Sequence, residues 1–140
     1  MTEQNPDPTY VSQCMALADR TLAAARMLAA EYPESAVGRA YYAAFYAAEA
    51  ALWTKGVHCR THGGLATALH QHFVQPGLLA PDPLRSLQDL LQLRLAGDYP
   101  RFRRDVTVEE ALEAIELAEQ FVAEIRTLIG KEDRTVNRGE

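Results

Sequence analysis

The sequence predicts an all-α protein, an antiparallel up-and-down bundle of four main helices plus a short one. Residue usage argues for it: 23 Ala and 17 Leu stand against 11 Val and Ile together. Ala and Leu lose little side-chain freedom in a helix, whereas the β-branched residues that favour strands are scarce. No segment alternates apolar and polar residues between turn signals, and helix start and stop residues recur along the chain instead.

The first helix is expected from about Pro8 to Tyr32. Asp7 suits the N-cap and Pro8 the first helical position, where its missing N–H costs nothing. Val11, Met15, Ala18, Leu22, Ala25 and Ala29 follow at spacings of three and four, and Pro33 punctuates. The second helix, roughly Glu34 to Lys55, has 15 apolar residues among the 18 from Ala36 to Trp53, so burial nearly all round is expected. At 100° per residue, Arg39, Tyr42, Tyr46, Glu49 and Trp53 share a strip about 80° wide, with Val37, Tyr41, Ala44, Phe45, Ala48 and Leu52 opposite. Gly56 is placed to stop this helix.

A polar connection, His58 to Gly64, leads into a short helix that ends by Phe73, before Pro76-Gly77. Asp82-Pro83 opens the fourth main segment, in which Leu84, Leu87 and Leu91 line one face and Arg94 continues the line; Gly97 and Pro100 are expected to close it. Thr107 and Glu110 form a capping box for the last helix, whose apolar positions run from Val108 to Ile129. Residues 1–130 therefore read as one helical domain and 131–140, charged and without apolar anchors, as a flexible C-terminal tail.

The formal charge of −5 argues against wrapping duplex DNA by phosphate neutralisation alone. The apolar run from Ala36 to Trp53 is interrupted by Gly38, Arg39 and Glu49, so it reads as a core helix and not as a membrane span. The opening residues Met1 to Asn5 are polar, with no basic segment ahead of an apolar one, and only Cys14 and Cys59 carry thiols. Both features point to the cytoplasm.

Arg94 is the leading candidate for chemistry. Because it extends a leucine stripe, its guanidinium is expected at the edge of the buried face. Asp98 and Tyr99 follow closely, then Arg101, Phe102, Arg103 and Arg104, which together make a local cationic site on an acidic chain. A planar guanidinium donates paired hydrogen bonds to phosphate. The alternative is that Arg94 serves the last carbonyls of its own helix and the other arginines are solvated loop charges. On the second helix, Arg39 and Glu49 sit in apolar surroundings and need partners or an opening to solvent, with Tyr42 and Tyr46 between them as hydrogen-bonding candidates. Four histidines, at 58, 62, 70 and 72, lie near Cys59, but their spacing matches no established ligand pattern, so neither a metal nor a cofactor is expected.

Five segments taken together resemble the small HEPN-domain proteins of prokaryotes: Gly38-Arg39-Ala40-Tyr41-Tyr42-Ala43-Ala44-Phe45-Tyr46-Ala47-Ala48, His62-Gly63-Gly64, Phe73 with Gly77-Leu78-Leu79, Arg94 with Asp98-Tyr99, and Ala118-Glu119-Gln120-Phe121-Val122. The likeness spans roughly residues 10 to 130 and keeps motif order, and it is nearest to a subgroup with an Arg-Ala-Tyr-Tyr-Ala helix and an Arg-x-x-x-Asp-Tyr ending. The resemblance implies a helical bundle that forms homodimers, with the motif-bearing helix ends facing each other across a cleft. It further implies a partner, a minimal nucleotidyltransferase, in a toxin–antitoxin or stress and defence pair. Active members of the family are metal-independent ribonucleases with an Arg-x4-6-His motif, in which His moves a proton and Arg stabilises the charge on phosphorus.

This chain departs from that motif, because Tyr99 stands where the ribonuclease motif would have His. A phenol is a poor proton acceptor at neutral pH but still hydrogen-bonds phosphate or stacks on a base. Asp98 could act as a base, though a neighbouring arginine weakens it in that role. Arg94, Asp98 and Tyr99 are therefore the catalytic candidates, and Arg39, Tyr42, Tyr46, His62, Arg101, Arg103 and Arg104 the candidates for holding RNA or a nucleotide. The expected function is an RNA- or nucleotide-binding component of such a system. The alternative is a non-catalytic homodimer that scaffolds a partner enzyme.

Overall fold

The structure is a computed structural model that describes the backbone of residues 2–3, 7–99 and 105–138, and the side chains of 7–99 and 105–132. Its helices are α1 (Pro8–Leu28), α2 (Pro33–Trp53), α3 (His62–Leu69), α4 (Asp82–Asp98) and α5 (Val108–Arg138). The all-α class holds, with one small addition. Two-residue strands β1 (Thr2–Glu3) and β2 (Val57–His58) pair antiparallel, Thr2 opposite His58 and Glu3 opposite Val57.

The caps behave as their chemistry demands. The Asp7 carboxylate accepts from the Thr9 N–H at 3.0 Å, and Thr61 accepts from the Gly64 N–H at 3.0 Å. At the head of α5, the Glu110 N–H donates to Thr107 Oγ1 and the Thr107 N–H to Glu110 Oε1, each at 3.1 Å. Gly56 takes φ 70°, a left-handed conformation that suits glycine and turns the chain after α2.

Four boundaries differ from expectation. Helix α1 ends at Leu28, before the turn that leads to Pro33. The short helix does not run uniformly to Phe73: after Leu69 it widens into one π-helical stretch, His70–Val74, marked by the Gln75 N–H donating to the His70 carbonyl at 2.8 Å. Gly97 lies inside α4 and is not its stop. A Cβ there would come within 3.1 Å of the Glu34 carbonyl oxygen, so its bare backbone is what lets α4 approach the start of α2. The backbone of α5 stays helical through Arg138, past the end of its apolar spacing, and Glu132 pairs with Lys55 at 2.8 Å.

Helix α2 is the hub, packed on by α1, α5 and α4. Ala40, Ala43, Ala44, Ala47, Ala48, Ala50 and Ala51 are all fully buried, so small side chains let three neighbours close in on one central helix. Phe73, Phe121, Leu65, Leu87, Leu90 and Ile125 fill the space around it. The exposed pairs Arg26–Glu119 and Asp19–Arg126 join α1 to α5 at the surface, where such contacts contribute about 0.2–1 kcal/mol each. Among the described residues no helix is long and apolar enough to cross a membrane.

Candidate functional site

The crossing of α4 over α2 sets the geometry. Gly97 rests on Glu34, and one turn further along α2 the Asp98 carboxylate lies over Gly38, 3.7 Å from where a Cβ would be. This close approach carries Arg94 onto the tyrosine pair of α2. Its guanidinium carbon lies 4.8 Å from the ring centre of Tyr42, 5.4 Å from that of Tyr41 and 5.8 Å from that of Tyr99. Three aromatic faces thus surround one planar cation.

The side chain of Arg94 is only 17% exposed, so the expected placement at the edge of the buried face holds. Its Nε stands 3.4 Å from Asp98 Oδ2 but lacks hydrogen-bond geometry, and this buried N–H finds no acceptor among the described residues. A buried donor without an acceptor costs roughly 1–3 kcal/mol. Arg39 approaches the same ring, with its guanidinium carbon 5.1 Å from the centre of Tyr42. Tyr46 stacks beside Tyr42 at 6.1 Å with 27° between the rings. Arg39, Tyr42, Tyr46, Arg94, Asp98 and Tyr99 therefore form one continuous surface. Arg101, Arg103 and Arg104 lie outside the described residues.

His62 joins this group at one remove. Its Nδ1 is 2.9 Å from the Tyr41 hydroxyl and its Nε2 is 2.5 Å from Gln88 Oε1. Tyr41 is 3% exposed, and burial pushes its phenol up to about 12, while the Arg94 cation pulls the other way. Sequence reasoning put Tyr41 on the side of α2 away from the polar strip and passed over Gln88. The usable signal was the hydroxyl itself, because a tyrosine in an all-apolar stretch must find a polar partner.

The far end of the α2 strip forms a separate cluster. Glu49 is not served by Tyr42 or Tyr46. The Tyr10 hydroxyl from α1 donates to Glu49 Oε2 at 3.5 Å, and Tyr10 packs on Trp53 with ring centres 5.1 Å apart. Burial raises the Glu49 carboxyl above its ordinary range, and nearby His58 offsets part of that rise. Burial also raises the thiols of Cys14 and Cys59, which leaves them poor nucleophiles. Among the described residues no three His, Cys, Asp or Glu side chains gather closely enough to hold a metal ion.

Surface depressions occur elsewhere, one lined by Glu113, Glu116, Leu117 and Gln120, another by Ala66, Thr67, His70, Gln71, Gln75 and Leu84. Neither contains a converging cation or a stacked ring system. The Arg94 surface is the better candidate because charge, burial and aromatic geometry coincide there.

Residues 11–128 match the HEPN domain. The chain belongs to the HEPN family. It is 39% identical over 83 residues to a UPF0332 protein of Gloeobacter violaceus, covering 59% of this chain and 66% of that one. It is 34% identical over 111 residues to a protein of Methanocaldococcus jannaschii named as a candidate toxin, covering 79% and 81% respectively. A UPF0332 protein of Thermotoga maritima is 32% identical over 103 residues, 74% of this chain and 77% of the relative. For the first of these, then, the match spans just under two thirds of the relative's length. The HEPN domain contains the whole described Arg94 surface, Arg39 to Tyr99, within its matched residues.

Proposed function

We propose that this HEPN protein is a toxin-like component of a two-gene stress or defence system and binds single-stranded RNA or a nucleotide through the Arg94 surface. The observation that carries the reading is the excess of cation around one ring. Arg39 and Arg94 both lie against Tyr42, and Asp98 is the one carboxylate paired with either of them among the described residues. A guanidinium that is largely desolvated, with an N–H lacking an acceptor, gains most from an anion that supplies oxygens. Tyr42, Tyr46 and Tyr99 offer ring faces for bases beside that anion, the combination used by sites for single-stranded nucleic acid. Arg101, Arg103 and Arg104 follow directly in the sequence and extend the positive charge. The toxin designation of the Methanocaldococcus relative supports the biological setting, and a neighbouring nucleotidyltransferase gene would supply the partner.

Binding is favoured over cleavage. The position that a ribonuclease of this family gives to histidine holds Tyr99, and both nitrogens of the His62 imidazole are engaged, by Tyr41 and by Gln88. In this reading Arg94, Asp98 and Tyr99 bind and orient the ligand.

The test is fluorescence anisotropy with a labelled single-stranded RNA, wild type against Arg94→Ala, alongside a cleavage assay with chelator present. Loss of about tenfold in affinity with little turnover is expected. Equal binding by the two proteins would remove the Arg94 reading, and chelator-resistant cleavage abolished by Arg94→Ala would make the protein a ribonuclease. If the basic stretch touches phosphates, replacing Arg103 should lower the salt slope of binding by about 0.7.

A second reading rests on α1 and α2. Leu17 is 44% exposed, two helical turns from Tyr10, which itself packs on half-buried Trp53, and Tyr46 is also half-buried. Such a face suits a homodimer that scaffolds a partner enzyme. Sedimentation equilibrium of wild type against Leu17→Glu decides it: a dimer lost on substitution supports this face.

A further inference from the structure

We propose that His62 is a positioning residue that ties the anion affinity of the Arg94 surface to pH, acting through Tyr41. The proposal rests on the anion-binding reading above and adds a control to that site. Its basis is that both ring nitrogens of the imidazole are engaged, one by Gln88 and the other by Tyr41. With the Gln88 carbonyl oxygen 2.5 Å from Nε2, the tautomer that matches this orientation of the amide carries its hydrogen on Nε2, since a carbonyl only accepts. The neutral ring then presents a bare Nδ1 to Tyr41, and the Tyr41 O–H donates to it across 2.9 Å. Tyr41 keeps its proton over the whole physiological range, because burial pushes its phenol up to about 12.

Protonation of His62 leaves the Gln88 bond intact and reverses the other one. Nδ1–H now donates to the phenol oxygen, and the hydroxyl hydrogen has to turn away from the imidazole. The same event places a new cation behind a ring whose centre is 5.4 Å from the Arg94 guanidinium carbon. The added positive charge favours an anion on the Arg94 surface.

The groups packed around His62 set the balance. From α2 come the neutral Tyr41 and, 5.4 Å from it between ring centres, Tyr42. From α4 come the neutral Gln88 and, further along the helix, Arg94 with Asp98. On its own segment, Cys59 is a neutral thiol and the start of α3 carries partial positive charge. A bound anion on the Arg94 surface favours the added charge. Anion binding and His62 protonation are therefore mutually reinforcing.

The experiment measures affinity for a labelled single-stranded RNA and for sulfate, whose charge is constant over the range, at fixed ionic strength between about pH 5.5 and 8. Wild-type affinity should rise about three- to tenfold toward the acid end. His62→Gln should lose the rise and bind with one affinity across the whole pH range. Tyr41→Phe, which keeps the ring and removes only the hydroxyl, should reduce the rise, and it carries the test should His62→Gln fail to fold. A wild type that binds without any rise, or either variant with the full rise, would overturn the proposal and leave the Arg94 reading standing. Absence of binding at every pH, or equal binding by Arg94→Ala, would take down the Arg94 reading and this proposal with it.

Discussion

Arg94 and Tyr42 meet across the α2–α4 crossing, with the guanidinium carbon 4.8 Å from the ring centre, and this contact joins the core of the protein to its candidate ligand surface. The pairing depends on the flatness of the guanidinium. A lysine ammonium at the same position would keep the charge but could not lie against three rings or present two parallel donors to a phosphate. Arg94→Lys is therefore expected to lower RNA affinity about five- to tenfold and to cost about 0.5–2 kcal/mol of stability from lost ring contacts. Anisotropy and urea unfolding of the same sample check both halves. Wild-type affinity in the lysine variant would mean that charge alone is read.

Gly97 sets the spacing that makes this contact. An added Cβ would lie 3.1 Å from the Glu34 carbonyl oxygen and 3.2 Å from its Cβ, and relief requires the two helices to part. Alanine gains about 1 kcal/mol of helix propensity over glycine, while overpacking costs about 1–3 kcal/mol. Gly97→Ala should thus be destabilising on balance and should weaken RNA binding as Arg94 is lifted from Tyr42. Gly130 is the control, because nothing lies within 4 Å of a Cβ added there. Gly130→Ala should keep its propensity gain and raise the unfolding midpoint.

The bundle was legible because its signals are local. Asp7, Thr107 with Glu110, and Gly56 each cap or stop a helix through atoms within a few residues of themselves. The edge position of Arg94 was equally local, being the next step on a leucine stripe. The role of Tyr41 was not, since its hydroxyl partner comes from α3 and the cation over its ring from α4, a juxtaposition no helical wheel of α2 contains. Glu49 teaches the same lesson: the tyrosine that serves it is Tyr10 on α1, 39 positions away, instead of a neighbour on its own helix. Gly97 was read as a helix stop because glycine commonly is one; only the packed structure shows Glu34 lying against it.

Glu49 gives a pH signature of stability. Its carboxyl is raised in the folded state, chiefly by burial. As pH rises from acid, the unfolded chain releases this proton first, so the unfolded state binds fewer protons and stability falls until the folded group has also ionised. The contribution is fully present below the ordinary carboxylate range and lost above it. Glu49→Gln, which still offers Tyr10 an acceptor, should remove that loss. Its unfolding midpoint should exceed that of wild type at pH 7, and the two should converge near pH 4. A glutamine variant less stable than wild type at pH 7 would show that attraction to His58 outweighs burial.

The alanines of α2 provide the sharpest test of the packing that everything else requires. Ala47 and Ala48 are both fully buried and lie 100° apart on the helix, so they face different neighbours. Leucine at either position adds three carbons where there is no room, and the neighbouring helix must move or its side chains must leave their rotamers. Each of Ala47→Leu and Ala48→Leu should cost about 1–3 kcal/mol in urea unfolding. The two losses should add if separate interfaces absorb the strain, and the double variant should fall short of the sum if one shifted helix relieves both. An unchanged midpoint in both single variants would mean that α2 is not enclosed by its neighbours, and the α4 crossing that holds Arg94 against Tyr42 would lose its physical basis.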